Sequence, residues 1–210
     1  MSRPLRLQFE GAFYHVMSRG NERKPIFRDD DDRRKFLEIL AATHNTYRLV
    51  IHSYVLMGNH YHLLVETPLA NLSLAMRQIN GVYTRYFNLR WKRFGHLFQS
   101  RFKALLVQKD AYLLTLSRYI HQNPLKANLA SRLEDYPWSS CPAYLGLVPA
   151  PPWLYLGDTL SYFESSRQDT TQNYRSFVLE REEKNPWKEA AAQMILGCAD
   201  FVNRMKAHAK

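Results

Sequence analysis

Four residues of this 210-residue chain have the types and spacing for phosphodiester chemistry: His60, His62, Tyr119 and Asn123. His60 and His62 follow Gly58-Asn59, which reads as the turn of a β-hairpin after the apolar run Val50 to Leu56. Alternate residues of a strand share a face, so the two imidazoles project to one side, while Tyr61 and Leu63 project to the other. A bare His-x-His pair fits two descriptions, core histidines satisfied by hydrogen bonds or two nitrogen ligands of a metal. Sixty residues on, the segment Asp110 to Pro124 carries Tyr112, Leu113, Leu116, Tyr119 and Ile120 at helical spacing. Asp110 is expected as its N-cap and Pro124 as its end. Tyr119 and Asn123 are four apart and share one face of that helix. A phenol and an amide oxygen beside two imidazoles would supply three ligand groups and one nucleophile.

Positioning them requires a sheet with helices laid on it. Ala12 to Ser18 reads as a first strand, and Phe36 to Tyr47 as a helix capped by the run Asp29 to Asp32, whose charge suits a helix N-terminus better than a metal cluster. The hairpin of Val50 to Thr67 comes next, followed by a helix from Leu72 to about Asn88 with Val82 on its buried stripe. A returning strand from Leu97 to Val107 then leads into the tyrosine helix. This order predicts an α+β fold, an antiparallel sheet of ferredoxin-like character with helices on its faces. Composition shifts after Ala143, and Pro149, Pro151 and Pro152 mark a linker. Residues 1–146 are therefore expected to form the main domain and 147–210 a helical C-terminal extension, with Trp187 to Leu196 and Ala199 to Met205 as helices.

Charge identifies the class of partner. Twenty-nine Lys and Arg against nineteen Asp and Glu give a formal charge of +10 and a pI near 9.7, which favours a polyanion. Thr67 to Lys109 contains no acidic residue but includes Arg77, Arg85, Arg90, Arg93 and Arg101, a block able to neutralise phosphates. Interleaved aromatics such as Phe94 and Phe98 offer faces for unstacked bases, although most are expected in the core. Two cysteines are too few for a disulfide framework or a cysteine-based zinc site. No signal-peptide or membrane-spanning run is evident, so a cytoplasmic protein with no membrane association is expected.

With their spacing, the two blocks resemble the HUH single-strand nucleases, in particular the REP-associated tyrosine transposases. Phe13-Tyr14-His15-Val16-Met17-Ser18-Arg19-Gly20-Asn21, Gly95-His96-Leu97-Phe98-Gln99-Ser100-Arg101-Phe102-Lys103, Tyr119 to Ala127 and Tyr136-Pro137-Trp138-Ser139-Ser140 also fit that family, over roughly residues 9 to 146. The resemblance implies the HUH fold and single-stranded DNA substrates with imperfect hairpins and a flanking guide sequence. A monomer is weakly favoured over a dimer. On this basis His60, His62 and Asn123 are expected to hold Mg²⁺ or Mn²⁺, with Tyr119 as the nucleophile that forms a 5′-phosphotyrosine. Arg19, Arg23, Lys24, Arg93 and Arg101 are the expected DNA contacts. His15, expected on the first strand next to the histidine hairpin, and His96, beside a basic turn, have two readings: a structural role, which is favoured, or support of the site or contact with phosphate. His121, about 200° round the helix from Tyr119, lies outside the site. The rival description keeps the fold without the chemistry, as a non-catalytic binder of structured nucleic acid.

Overall fold

A computed structural model describes residues 7–164, 169–180, 186–190 and 194–208; Arg3 and Arg6 of the basic lead-in lie outside them. Five strands form one sheet in the order β2-β3-β1-β4-β5. They are β1 (Ala12–Arg19), β2 (Val50–Met57), β3 (His60–Thr67), β4 (Lys103–Val107) and β5 (Ile195–Leu196). The first four pair antiparallel; β5 pairs parallel to β4. The fold is the expected α+β sandwich, with two corrections in the sheet. The strand expected from Leu97 begins only at Lys103, since Leu97 to Phe102 is loop with an isolated bridge from Phe98 to Gly20, and the edge holds a fifth strand. Ile195 and Leu196 are strand, not helix, because the backbone of β4 offers an open edge that this short apolar pair fills.

Alternation along the strands sorts the core into two layers. Tyr14, Val16, Leu56, Tyr61 and Leu63 face α1 (Asp30–Tyr47) and α2 (Leu72–Arg90) in the larger core. Phe13, Val55, Met57, Leu64 and Leu105 face α3 (Lys109–Lys126) through Leu113, Leu116 and Ile120. Asp29 caps α1 by accepting the backbone N–H of Asp32. The guanidinium of Arg90, at the end of α2, reaches Asp29 and the buried Asp32 at 2.7 Å each. The aspartate run therefore fastens two helices together. Val82 is exposed, as α2 turns it away from the sheet.

Two expectations for α3 need correction. Gln108 is its N-cap and Asp110 lies inside the first turn, where its charge still complements the helix dipole. Pro124 sits within the helix, which continues to Lys126. The backbone N–H groups of Ala127 and Leu129 bond to the carbonyls of Asn123 and Pro124, so the last turn closes without a donor from the proline itself.

Short helices complete the chain: α4 (Cys141–Tyr144), α5 (Gly157–Leu160), α6 (Thr170–Leu179), α7 (Pro186–Glu189) and α8 (Ala199–His208). Tyr144, Tyr174 and Val178 form a third apolar cluster behind α3 with Leu133 and Cys141. Among the described residues no helix is long and apolar enough to cross a membrane.

Candidate active site

The hairpin turn at Gly58-Asn59 is pinned by the loop that follows β1. Gly20 N–H bonds to Asn59 O at 2.8 Å, and Ile26 and Phe27 donate to Gly58 O. Gly20 permits this fold-back, since a Cβ there would lie 2.2 Å from the carbonyl oxygen of Lys24. Asn59 Nδ2 donates to Arg23 O at 2.9 Å, which turns its Oδ1 toward His60 Nδ1 at 2.7 Å. The acceptor oxygen requires a proton on His60 Nδ1, leaving Nε2 as the lone-pair donor of that ring.

His62 is oriented in the same way. Its Nδ1 lies 2.9 Å from Nε2 of His15 on the neighbouring strand, and the two rings are buried. When His62 donates from Nδ1, its Nε2 is open to a ligand. The ring centroids of His60 and His62 are 5.2 Å apart. Burial lowers His60 to about 4, with the nearby Arg19 charge adding to the effect. Burial also holds His62 well below the usual histidine range, assisted by His15, His60 and Arg19. Both imidazoles are therefore neutral at pH 7, the form that donates lone pairs to a cation.

The helix α3 brings Tyr119 against His62 and His15. Its ring centroid is 5.8 Å from His62 and 5.6 Å from His15, edge-on to each. Asn123, one turn on, donates from Nδ2 to Tyr119 O at 2.7 Å, which presents Oδ1 as its acceptor end. Lys126 Nζ stands 5.2 Å from the tyrosine ring centroid. Three separate segments thus meet at one end of the sheet.

The basic residues expected to meet DNA divide into two groups. Arg19 lies directly opposite His60 in the β1–β3 register, on the histidine face, and its buried Nε lacks a hydrogen-bond partner. Arg23 and Lys24 are in the loop beneath the hairpin turn, with Lys24 paired to Glu22 at the surface. Arg93 and Arg101 lie elsewhere. Arg93 stacks on Phe87 at 5.6 Å, and Arg101 lines an 870 Å³ cavity between α2 and the segment Gly95 to Phe102.

A second group, His52, Glu66 and Asp158, brings three ligand atoms within 4.8 Å of one another. The ammonium of Lys109 already lies between its carboxylates, 2.8 Å from Glu66 and 2.6 Å from Asp158. That site holds its cation covalently attached to the chain. Lys109 begins α3 and Tyr119 is ten residues on, about 15 Å along the helix, so the two clusters are separate.

Sequence reasoning favoured a structural role for His15 over one in support of the site; it touches both His62 and Tyr119. It adjoins the hairpin as expected, and the β1–β3 register, which pairs His15 with Leu64 and Met17 with His62, sets which of the two histidines it meets. Trp187, whose ring lies 4.9 Å from that of His15, was missed. It arrives from a segment 172 positions away and no local pattern points to it.

The family model for IS200-like transposases matches residues 8–123, from the lead into β1 through Asn123. The chain belongs to the IS200-like transposase family. It is accordingly a transposase, an enzyme of DNA transposition. Among solved structures, a REP-associated tyrosine transposase bound to a REP hairpin matches with a TM-score of 0.59 at 18% identity, over 74% of this chain and 95% of that one. A Deinococcus radiodurans protein, provisionally described as a transposase, matches with a TM-score of 0.40 at 17% identity, over 58% of this chain and 95% of that one. No curated protein matches the sequence. The family match covers the sheet and the tyrosine helix of this transposase; α4 to α8 lie beyond it.

Proposed function

We propose that this transposase is a metal-dependent nuclease and strand transferase for single-stranded DNA with imperfect hairpins, of the REP-associated tyrosine type, working through a 5′-phosphotyrosine at Tyr119. The observation that carries the reading is the placement of the Tyr119 ring 5.8 Å from His62, beside two imidazoles kept neutral by burial. His60 and His62, through Nε2, and Asn123, through Oδ1, are the residues that would hold Mg²⁺ or Mn²⁺. The donor set fits, since the Nδ1 of each ring is engaged by a neighbour and Asn123 Nδ2 is engaged by Tyr119 O, which leaves Nε2 of each ring and Oδ1 of the amide as the ligand atoms. Such an ion would withdraw charge from the scissile phosphate and align it for in-line attack.

The chain's own residues do the rest. A free phenol has a pKa near 10 and is about one part in a thousand ionised at pH 7, so attack depends on a phosphate held in position beside Tyr119. Arg19, opposite His60, supplies positive charge on the same face for a non-bridging phosphate oxygen. The Tyr119 oxygen forms the new bond to phosphorus and its proton passes to solvent. The bond to the 3′ oxygen breaks, and that oxygen leaves as a 3′-hydroxyl after taking up a proton. The phosphotyrosine keeps the energy of the cleaved bond, so a later 3′-hydroxyl can reverse the step and join strands. Arg23, Lys24, Arg93 and Arg101 are assigned to the flanking strand and hairpin backbone. The proposed setting is the cytoplasm, and the proposed working unit is a monomer.

End-labelled DNA tests this polarity. Incubation of repeat DNA with Mn²⁺ should move a 3′-end label onto the protein and release a 5′-labelled fragment with a free 3′-hydroxyl. Release of both fragments without a protein adduct would mean that water, not Tyr119, is the nucleophile.

A further inference from the structure

The helix that carries Tyr119 is gripped from behind by a part of the chain outside the matched family domain. Gln122 Nε2 donates to two backbone carbonyls at the end of α6, Val178 O at 2.7 Å and Glu180 O at 2.8 Å. Arg118 pairs with Glu180 at 2.9 Å and lies 3.7 Å from the ring centroid of Phe177. The buried hydroxyl of Tyr174 joins Ser117 at 2.7 Å and His121 at 2.6 Å, and His121 reaches on to Ser140 at 2.7 Å. Gln122 and Arg118 are tied to α6, and Ser117 and His121 are joined through Tyr174, with Ser117 also 3.2 Å from Ser53 of β2.

The angular arrangement gives the strip its meaning. At about 100° per residue, Ser117 and His121 lie about 160° from Tyr119, while Arg118 and Gln122 lie about 100° and 60° from it on one flank. Tyr119 therefore faces His62 and His15, while the back of α3 and the flank that carries Arg118 and Gln122 face α6. On the sheet side α3 rests mostly on aliphatic packing from Leu113, Leu116 and Ile120, which resists separation but fixes rotation about the helix axis weakly, and the Ser117–Ser53 hydroxyl contact at 3.2 Å adds one longer directional link to β2. Hydrogen bonds are directional, and those to Gln122 and Tyr174 are satisfied at only one rotation. A displacement of about 1 Å at a reacting atom can cost on the order of 100-fold in rate.

We infer that α6 is a positioning element of the active site, setting the rotation of α3 through Gln122, Arg118 and Tyr174 so that Tyr119 points at the histidine pair. The inference rests on Tyr119 being the nucleophile. These three are positioning residues with no part in the chemistry itself, and the Arg118–Glu180 pair offers a reversible form of the clamp.

The test compares the full-length wild-type protein with Gln122→Met, Tyr174→Phe, Arg118→Glu and the charge swap Arg118→Glu with Glu180→Arg. Adduct formation is measured at saturating 3′-labelled single-stranded hairpin DNA with Mn²⁺, alongside hairpin Kd, thermal melting and hydrogen exchange across residues 109–126. The single variants should form adduct at least tenfold more slowly at temperatures where they remain folded. Their Kd should stay within twofold, their α3 amides should exchange faster, and the charge swap should recover most of the lost rate. Unchanged rates in folded variants, or losses that only track the unfolded fraction, would overturn the inference. If the wild-type protein forms no adduct, the nucleophile assignment fails, and hydrogen exchange still decides the clamp: unchanged α3 protection in the variants would refute it.

Discussion

His15 Nε2 and His62 Nδ1 face each other at 2.9 Å across the β1–β3 pairing, with both rings buried. The pairing occupies Nδ1 of His62 and, with His62 as the donor, leaves Nε2 for a ligand. An imidazole with its Nδ1–H engaged is held in one tautomer and one ring orientation, and such partners tune metal affinity without touching the ion. His15→Ala should weaken Mn²⁺ binding about 10- to 100-fold, with hairpin binding little changed. Titration calorimetry with Mn²⁺ would show this, and an unchanged affinity would remove His15 from the site's support.

The two cation clusters make opposite predictions. His60→Ala and His62→Ala should abolish Mn²⁺-dependent adduct formation, and chelation of the wild-type protein should do the same, with recovery on adding Mn²⁺ back. Asp158→Asn should leave the metal dependence intact, because Lys109 already satisfies that cluster. A loss of Mn²⁺ binding in Asp158→Asn would move the metal centre there.

Arg19 bears on electrostatics as well as on DNA. Its charge adds to the lowering of His60, so Arg19→Ala should raise the pKa of that imidazole and make adduct formation more sensitive to acid. If Arg19 also meets a phosphate, the slope of log K for hairpin binding against log salt should fall by about 1. A salt series with the variant would read both effects; an unaltered slope would place Arg19 away from the backbone.

Stability should show its own acid dependence. Burial lowers His121 to about 3, against about 6.5 for a histidine in an unfolded chain. Between those values the unfolded state binds the extra proton, so stability rises with pH in that window. The contribution is complete above about pH 6.5 and is lost as the pH falls toward 3. Each such group adds about 1.4 kcal/mol per pH unit within the window. His15, also lowered to about 3 by burial, acts in the same sense. In urea melts at several pH values from 4.5 to 6.5, His121→Gln should show a shallower slope than the wild-type protein, whatever its absolute stability. Equal slopes would mean that His121 does not titrate between the two states.

The sequence was most legible where periodicity and punctuation agree. The Gly58-Asn59 turn, the alternation through His60 and His62, and the apolar stripe of α3 each place their residues locally, so strand face and helix face could be derived before any contact was known. Whatever depends on pairing between distant segments could not. His15 becomes a partner of His62 only through strand register, and the grip of α6 on Gln122 joins positions 56 and 58 residues apart. Ile195-Leu196 illustrates the same limit, because two apolar residues become strand or helix according to the free edge they meet.

The central claim is that the oxygen of Tyr119 becomes covalently bonded to DNA. The most direct measurement is mass mapping of peptides after incubation with single-stranded repeat DNA and Mn²⁺. The account predicts a nucleotide-bearing peptide modified at Tyr119 in the wild-type protein and no modified peptide in Tyr119→Phe. A nucleotide adduct on any other residue, or one that survives in Tyr119→Phe, would contradict it.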